Sequence, residues 1–332
     1  MYLLTLMTKT SISFRRTFGA FASVTLAAAT LAAPLQCQRR DTMALAVAAN
    51  ATSFLVVGDW GQHGDLYQRR VAKQMGATAA AISAAFIIST GDNFYPDGVR
   101  SPEDRQFYYT FENVYTDKSL MVDWYPVLGN HDYHGNPQAE VEYSAKSTRW
   151  KMPARYYTVK KTITPEVAAE FFFIDTSPIV LDYDGRPDKY PQFRQDTVSQ
   201  RRWLDSSLKA STAQWKFIVG HHHVYSGGVR PTQQVLEWLL VPMMLQYNVS
   251  AYICGHEHQL EHILPQGSGA HYFVSGAGSE TRDTKGREGT KFVSSSMGFL
   301  AMSLTADSMV VQAVDERGKM LYRTSIKRPN GQ

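Results

Sequence analysis

Five short segments of this 332-residue chain share one construction. GDWG (58–61), GDNFY (91–95), GNHD (129–132), GHHH (220–223) and GHEH (255–258) each follow an apolar run directly. Each opens with glycine and continues with side chains able to bind a metal ion. The preceding runs, such as TSFLVV, AAFIIST and WKFIV, are short and rich in β-branched and aromatic residues, as buried strands are. In an open α/β sheet, ligands gather outside the carboxyl ends of the strands. Glycine at such a point lets the backbone turn tightly. Taken singly, each loop is bland: an aspartate after a strand is ordinarily a turn residue or a helix N-cap. The histidines of GHEH, at i and i+2, cannot share a helix face but can converge from an extended or turning segment. Together the loops bring carboxylates, an amide and several imidazoles to strand ends, enough for two adjacent cations.

The remaining pattern agrees with alternating strands and helices followed by a strand-rich end. Helices are expected over LYQRRVAKQM, over EDRQFYYTFENVY (103–115), around 231–246, and over TVSQRRWLDSSLKAS (197–211), where Val198, Trp203, Leu204 and Leu208 have helical spacing. RYYTV (155–159) and EFFFIDT (170–176) read as a strand pair. HYFVSG, GFLAMSLT, MVVQAV and MLYRTSI add later strands, and there are no internal repeats. This order predicts a layered α/β domain with mixed β-sheets rather than a barrel. The FYYTF cluster (107–111) reads as helix core, not a base-stacking platform.

Composition narrows the function classes. At 44% hydrophobic residues the chain can fill a core, and a net charge of +4 with scattered basic residues gives no nucleic-acid footprint. Residues 1–48 read as a leader and 49–328 as a single domain. Lys9, Arg15, Arg16, Arg39 and Arg40 precede or flank a 17-residue apolar run, with no acidic residue before Asp41 and an AVA cleavage site at 46–48. This layout predicts export through a secretory signal to the exterior or a lysosome-like compartment, with an organelle transit peptide as the alternative. RRTF (15–18) has a loose twin-arginine character. No later segment reaches the roughly 18 apolar residues of a membrane span. Cys37 leaves with such a leader, and Cys254 is then unpaired. Asn50 and Asn248 head glycosylation sequons.

The ordered set GD-x-G, GDN, GNHD, GH and GH-x-H resembles the calcineurin-like metallophosphoesterases. Tyr95, three residues after Asp92, narrows the resemblance to the purple acid phosphatases. GNHDYHGN, the Tyr-Ser…Arg-Trp run at 143–150 and SGAG (275–278) are similar to their small, tartrate-resistant type. The resemblance covers about residues 52–326. It implies a four-layer αββα sandwich and a phosphate monoesterase with a binuclear metal centre. Asp59, Asp92, Tyr95 and His258 would hold Fe(III). Asp92 would bridge to a divalent ion (Fe, Zn or Mn), held also by Asn130, His221 and His256. Phenolate suits the hard ferric ion, and imidazole and amide suit a softer divalent one. The resemblance further implies hydroxide attack on phosphorus at the ion pair, His131 as the group that protonates the leaving oxygen or contacts the phosphoryl group, and Asp132 as a partner supporting the ligands. A phosphomonoester is the only partner implied, and a monomer is expected.

Two departures stand out. The family places a further active-site histidine shortly before a Pro-Thr pair, but HHHVYSGGVRPT (221–232) has none before Pro231-Thr232. His222, His223 or Arg230 are candidates for that phosphate contact; otherwise the role is missing. LDYDGRPDKYPQFRQ (181–195) lacks the paired cysteine of the animal enzymes, which leaves Cys254 as a buried thiol. His134, His262 and His271 read as structural or rim residues. Other readings are a phosphodiesterase or phosphoprotein phosphatase of the same superfamily, or a scaffold of this fold without catalysis. Asn-Phe-Tyr in place of Asp-Arg-Gly after Asp92, and GNHD in place of GNHE, argue against a protein phosphatase. A scaffold would have lost ligands, and all seven are present.

Overall fold

The computed structural model describes residues 45–180 and 195–328. Most of the expected leader, Cys37 and nearly all of the 181–195 segment lie outside them. The strands from the amino-terminal half are β1 (Thr52–Val57), β2 (Phe86–Ser89), β3 (Asp123–Pro126), β4 (Tyr157–Thr164) and β5 (Val167–Phe173). There follow β6 (Trp215–Val219), β7 (Ala251–Cys254), β8 (Leu260–Ile263), β9 (His271–Ser275) and β10 (Thr290–Ser294). The chain then runs through β11 (Gly298–Leu304), β12 (Ser308–Asp315) and β13 (Met320–Lys327). They build two mixed sheets, ordered β13-β12-β11-β1-β2-β3 and β10-β8-β9-β7-β6-β5-β4. Parallel strands occupy one region of each sheet, β1-β2-β3 in the first and β5-β6-β7-β9 in the second. Five of these parallel strands, β1, β2, β3, β6 and β7, lead into the glycine loops.

The sheets pack face to face, and β5 displays the rule that sorts its side chains. Successive residues point to opposite faces. Phe171 enters the space between the sheets and meets Phe54 of β1 and Phe86 of β2 edge-on, at 5.4 and 5.5 Å between ring centres. Phe172 points outward to a second core with Leu204 and Leu208 of helix α3 (Thr197–Ala210) and Leu236 and Leu240 of α4 (Gln234–Gln246), once α1 (Gln68–Ile82) and α2 (Pro137–Tyr143) are counted before them. Val71, Met75 and Ala79 place α1 on the first sheet. The layering is therefore helix, sheet, sheet, helix, as expected. Among the described residues no helix is long and apolar enough to cross a membrane.

Three local expectations differ from the structure. The helix expected over 103–115 is reduced to a π-helical turn, Phe107–Glu112. Buried Arg149 packs against the end of this turn: it donates to the oxygens of Phe111, Glu112 and Tyr115, and pairs with the Glu112 carboxylate at 2.8 Å. Phe107 and Phe111 are core, as read, but Tyr108 and Tyr109 are exposed. On α3, Leu204 and Leu208 are buried whereas Val198 faces solvent. Helix α2 and strands β8 and β10 went unpredicted, although Asn136 capping Pro137 is a helix-start signal.

His262 on β8 and His271 on β9 form a hydrogen-bonded pair at 2.9 Å, and His262 also bonds the Tyr322 hydroxyl at 2.9 Å. Burial, aided by the charge of Lys291, lowers their pKa values to about 3 and about 4, with His271 also acting on His262. Both are neutral in the fold and become charged on unfolding below the ordinary value of 6.5. The unfolded chain then binds more protons, so stability falls as pH drops from about 6.5 toward about 4. Urea titrations across that window should show the midpoint falling with acidity. His271→Asn should flatten the slope; an unchanged slope would exclude the pair as its source.

Candidate metal centre

The five loops emerge from β1, β2, β3, β6 and β7 and converge at one end of the sandwich. Three of the candidate ligands have left-handed backbone: Asp59 at φ 56°, Asp92 at φ 50° and His256 at φ 67°. Asp and His tolerate this region better than most residues, and such strain concentrates at functional sites. It turns each side chain back over the strand end that carries it. The adjoining glycines leave the room. A Cβ on Gly129 would lie 2.1 Å from Asp92 Oδ1, and one on Gly255 2.4 Å from Asp59 Oδ2.

Asp92 stands at the middle. Its Oδ2 accepts the Tyr95 hydroxyl at 2.9 Å. That hydroxyl is also 3.3 Å from Asp59 Oδ1 and 3.2 Å from His258 Nε2. Its Oδ1 accepts the His131 backbone N–H at 2.9 Å and lies 3.5 Å from His221 Nε2. His221 Nε2 in turn is 3.2 Å from Asn130 Oδ1 and 3.1 Å from His256 Nδ1. One carboxylate oxygen thus faces Asp59, Tyr95 and His258, and the other faces Asn130, His221 and His256. All seven residues read from the sequence as ligands are brought together.

The donor chemistry fits cations. Adjacent ligands of an octahedral ion with bonds of about 2.1 Å sit about 3.0 Å apart, and the contacts above span 2.9–3.5 Å. Asp59 and Asp92 are buried, and among the described residues no lysine or arginine pairs with either. Two such carboxylates are costly without a cation. Burial, with the charges of Asp92 and Asp59, holds the Tyr95 phenol well above its usual pKa. Burial raises the Asp92 carboxyl, but His221, His131 and its hydrogen bonds outweigh this and keep it low. Burial and neighbouring imidazoles push His256 well below its usual value, leaving its lone pair free. His221 Nδ1 donates to the Thr90 carbonyl at 2.8 Å, and His258 Nδ1 lies 3.2 Å from Glu280, so each ring turns Nε2 inward.

Asp132 fastens the scaffold beneath. It accepts N–H bonds from Gly129, Asn93 and Phe94 at 2.8, 3.1 and 2.9 Å, joining two of the ligand loops. His131 is half-buried, with its Nδ1 2.6 Å from the Pro96 carbonyl. His222 is fully buried; its ligand atom lies within 4.8 Å of those of His221 and His256, and its Nδ1 is 2.9 Å from the Thr176 hydroxyl. His223 bonds the Pro231 carbonyl at 2.9 Å. Arg230 is tied to buried Glu257 at 2.6 Å. His134 lies 3.6 Å from Asp97 at the rim, and Cys254 is buried beside the site. Glu257 and Glu280 were missed by sequence reasoning. Glu257 carried a signal in its place inside GHEH; Glu280 carried none.

A model of the calcineurin-like phosphoesterase family matches residues 52–260. Purple acid phosphatase 4 of Arabidopsis thaliana is 35% identical over 283 residues, 82% of each chain. The chain belongs to the purple acid phosphatases. Human tartrate-resistant acid phosphatase type 5 is 32% identical over 85% of this chain and 92% of its own. Among solved structures, GAP50, the anchor in the inner membrane complex of Plasmodium, aligns with TM-score 0.75 and 25% identity over 85% of this chain and 90% of that one. The yellow lupin purple acid phosphatase PPD1 shares the fold, with TM-score 0.64 and 14% identity over 84% of this chain and 54% of that one.

A purple acid phosphatase built this way depends on the bare backbone at Gly129. Gly129→Ala should drive Asp92 from its position and lower the metal bound per chain, measured by plasma mass spectrometry, with the fold retained by circular dichroism. Undiminished metal content would show that ligation does not need the bare backbone at Gly129.

Proposed function

We propose that the chain is an acid phosphatase that hydrolyses phosphate monoesters at a centre of Fe(III) and a divalent ion, Fe, Zn or Mn. The observation that carries this reading is the Asp92 carboxylate, with an oxygen-rich set on one side and an amide and two imidazoles on the other. Asp59, Tyr95, His258 and Asp92 would hold the ferric ion, and Asp92, Asn130, His221 and His256 the divalent one. When bound, the ions supply positive charge and an activated water for attack on phosphorus.

The protein's own groups do the rest. The Pro96 carbonyl can only accept, so His131 carries a proton on Nδ1 and exchanges its second proton at Nε2. In its protonated form it would hand that proton to the leaving oxygen. The His131 N–H fixes the angle of the Asp92 carboxylate, and Asp132 keeps the two loops in register. For the histidine absent before Pro231, Arg230 is the replacement best placed to touch substrate, since it alone of the three candidates is substantially exposed, at 35%. A second reading, a scaffold without turnover, rests on the likeness to GAP50. Export through the amino-terminal signal is also proposed, and the sequon residues Asn50 and Asn248 are both exposed.

Purified protein should be pink to purple from a tyrosinate–Fe(III) band and should turn over 4-nitrophenyl phosphate. Tyr95→Phe should remove the visible band before it removes activity, and Asp92→Ala should reduce turnover to background. Colourless, iron-free protein with full activity would refute the ferric assignment, and coloured protein without turnover would favour the scaffold.

A further inference from the structure

One short loop after β9 reaches two residues on the Asp59–Tyr95–His258 side of the centre. Ser279 Oγ donates to the Asp59 carbonyl at 2.7 Å, and the Arg282 N–H donates to the His258 carbonyl at 3.0 Å. Between these two anchors Glu280 lies against the His258 ring, with Oε1 3.2 Å from Nδ1. That nitrogen is buried, and no other group among the described residues bonds it. The approach is oblique, short of an aligned hydrogen bond, and the 45% exposed Glu280 side chain has room to turn. Among the described residues no lysine or arginine pairs with Glu280. Across Asp92 the matching contact differs in kind: His221 Nδ1 donates to a neutral partner, the Thr90 carbonyl, at 2.8 Å. A carboxylate at Nδ1 makes the opposite nitrogen of an imidazole a stronger donor than a carbonyl does. The charged partner thus stands behind the imidazole that shares its side with Asp59 and Tyr95.

We propose that Glu280 is a positioning residue that fixes the His258 ring through its Nδ1–H and strengthens Nε2 as a donor, so that this side of the centre favours a trivalent ion. This rests on the ferric assignment above. An ionised carboxylate only accepts, so the ring proton stays on Nδ1 and the Nε2 lone pair is turned to the ion. Added electron density at Nε2 counts most toward the ion of higher charge. It also makes a ferric ion a poorer acceptor of charge from the Tyr95 phenolate. Glu280 therefore sets the colour of the centre as well as its hold on iron. The bonds made by Ser279 and Arg282 keep the loop in place whatever stands between them, so the side chain can be changed without releasing the loop.

The test loads the full chain with ferric iron or zinc, records visible spectra and measures affinity by competition with a chelator, for wild type, Glu280→Gln and Glu280→Ala. Glu280→Gln keeps an acceptor and loses the charge, so its tyrosinate band should move to longer wavelength while circular dichroism stays that of the wild type. Glu280→Ala should shift the band in the same direction and weaken ferric binding about tenfold, the lower end for losing a partner behind a metal ligand. Zinc affinity should change less. A band at the wild-type wavelength in both variants, or an equal loss of ferric and zinc affinity in Glu280→Ala, overturns the proposal. Wild-type protein that shows no visible band with ferric iron refutes the ferric assignment instead, and the ratio of gallium(III) to zinc affinity across the same variants still decides the role of Glu280.

Discussion

Two buried carboxylates that no lysine or arginine pairs with among the described residues are the constraint on which this structure turns. Asp59 and Asp92 sit at adjacent strand ends in left-handed backbone conformations, each pressed against a neighbouring glycine. Like charges in a low-dielectric setting repel strongly. The surroundings answer with N–H groups, a phenol and imidazole nitrogens arranged around the pair. Tyr95 bridges both aspartates, the His256 N–H caps Asp59 at 2.9 Å, and the His131 N–H caps Asp92. The parallel strands, the tight turns and the glycines make sense as means of holding that arrangement.

Much of this was legible in the chain itself. The ligand loops could be found because three conditions coincide in each: an apolar run, a glycine and a metal-competent side chain. The layered α/β class followed from the order of the runs, and the four-layer sandwich from the family resemblance. What escaped depended on contacts distant in sequence. Nothing near Phe107 announces that Arg149 will bond the carbonyls at the end of that segment, or that the expected helix is a single π-helical turn. Nothing near His258 announces Glu280, which reaches it from the loop after β9. Val198 fits a helical apolar stripe yet faces solvent, since spacing alone does not say which end of a stripe is covered.

The 221–232 loop separates the two kinds of information. Its sequence reveals a missing histidine, and the structure reveals what anchors the loop in its place. Buried Glu257 and Glu261 bind its backbone through Val229 and Gly227, and His223 ties back to Pro231. The loop is held from below by acids and presents arginine above.

The two donor sets have one further property. Asp59, Asp92, Tyr95 and Asn130 come from the first sheet, and His221, His256 and His258 from the second. Each set draws on both. Any ion bound there is a rivet through the sandwich, and its binding free energy is shared with the cohesion of the two halves. Cofactor loading and mechanical integrity are one equilibrium in such a design: the same contacts that prepare the chemistry also close the seam between the sheets.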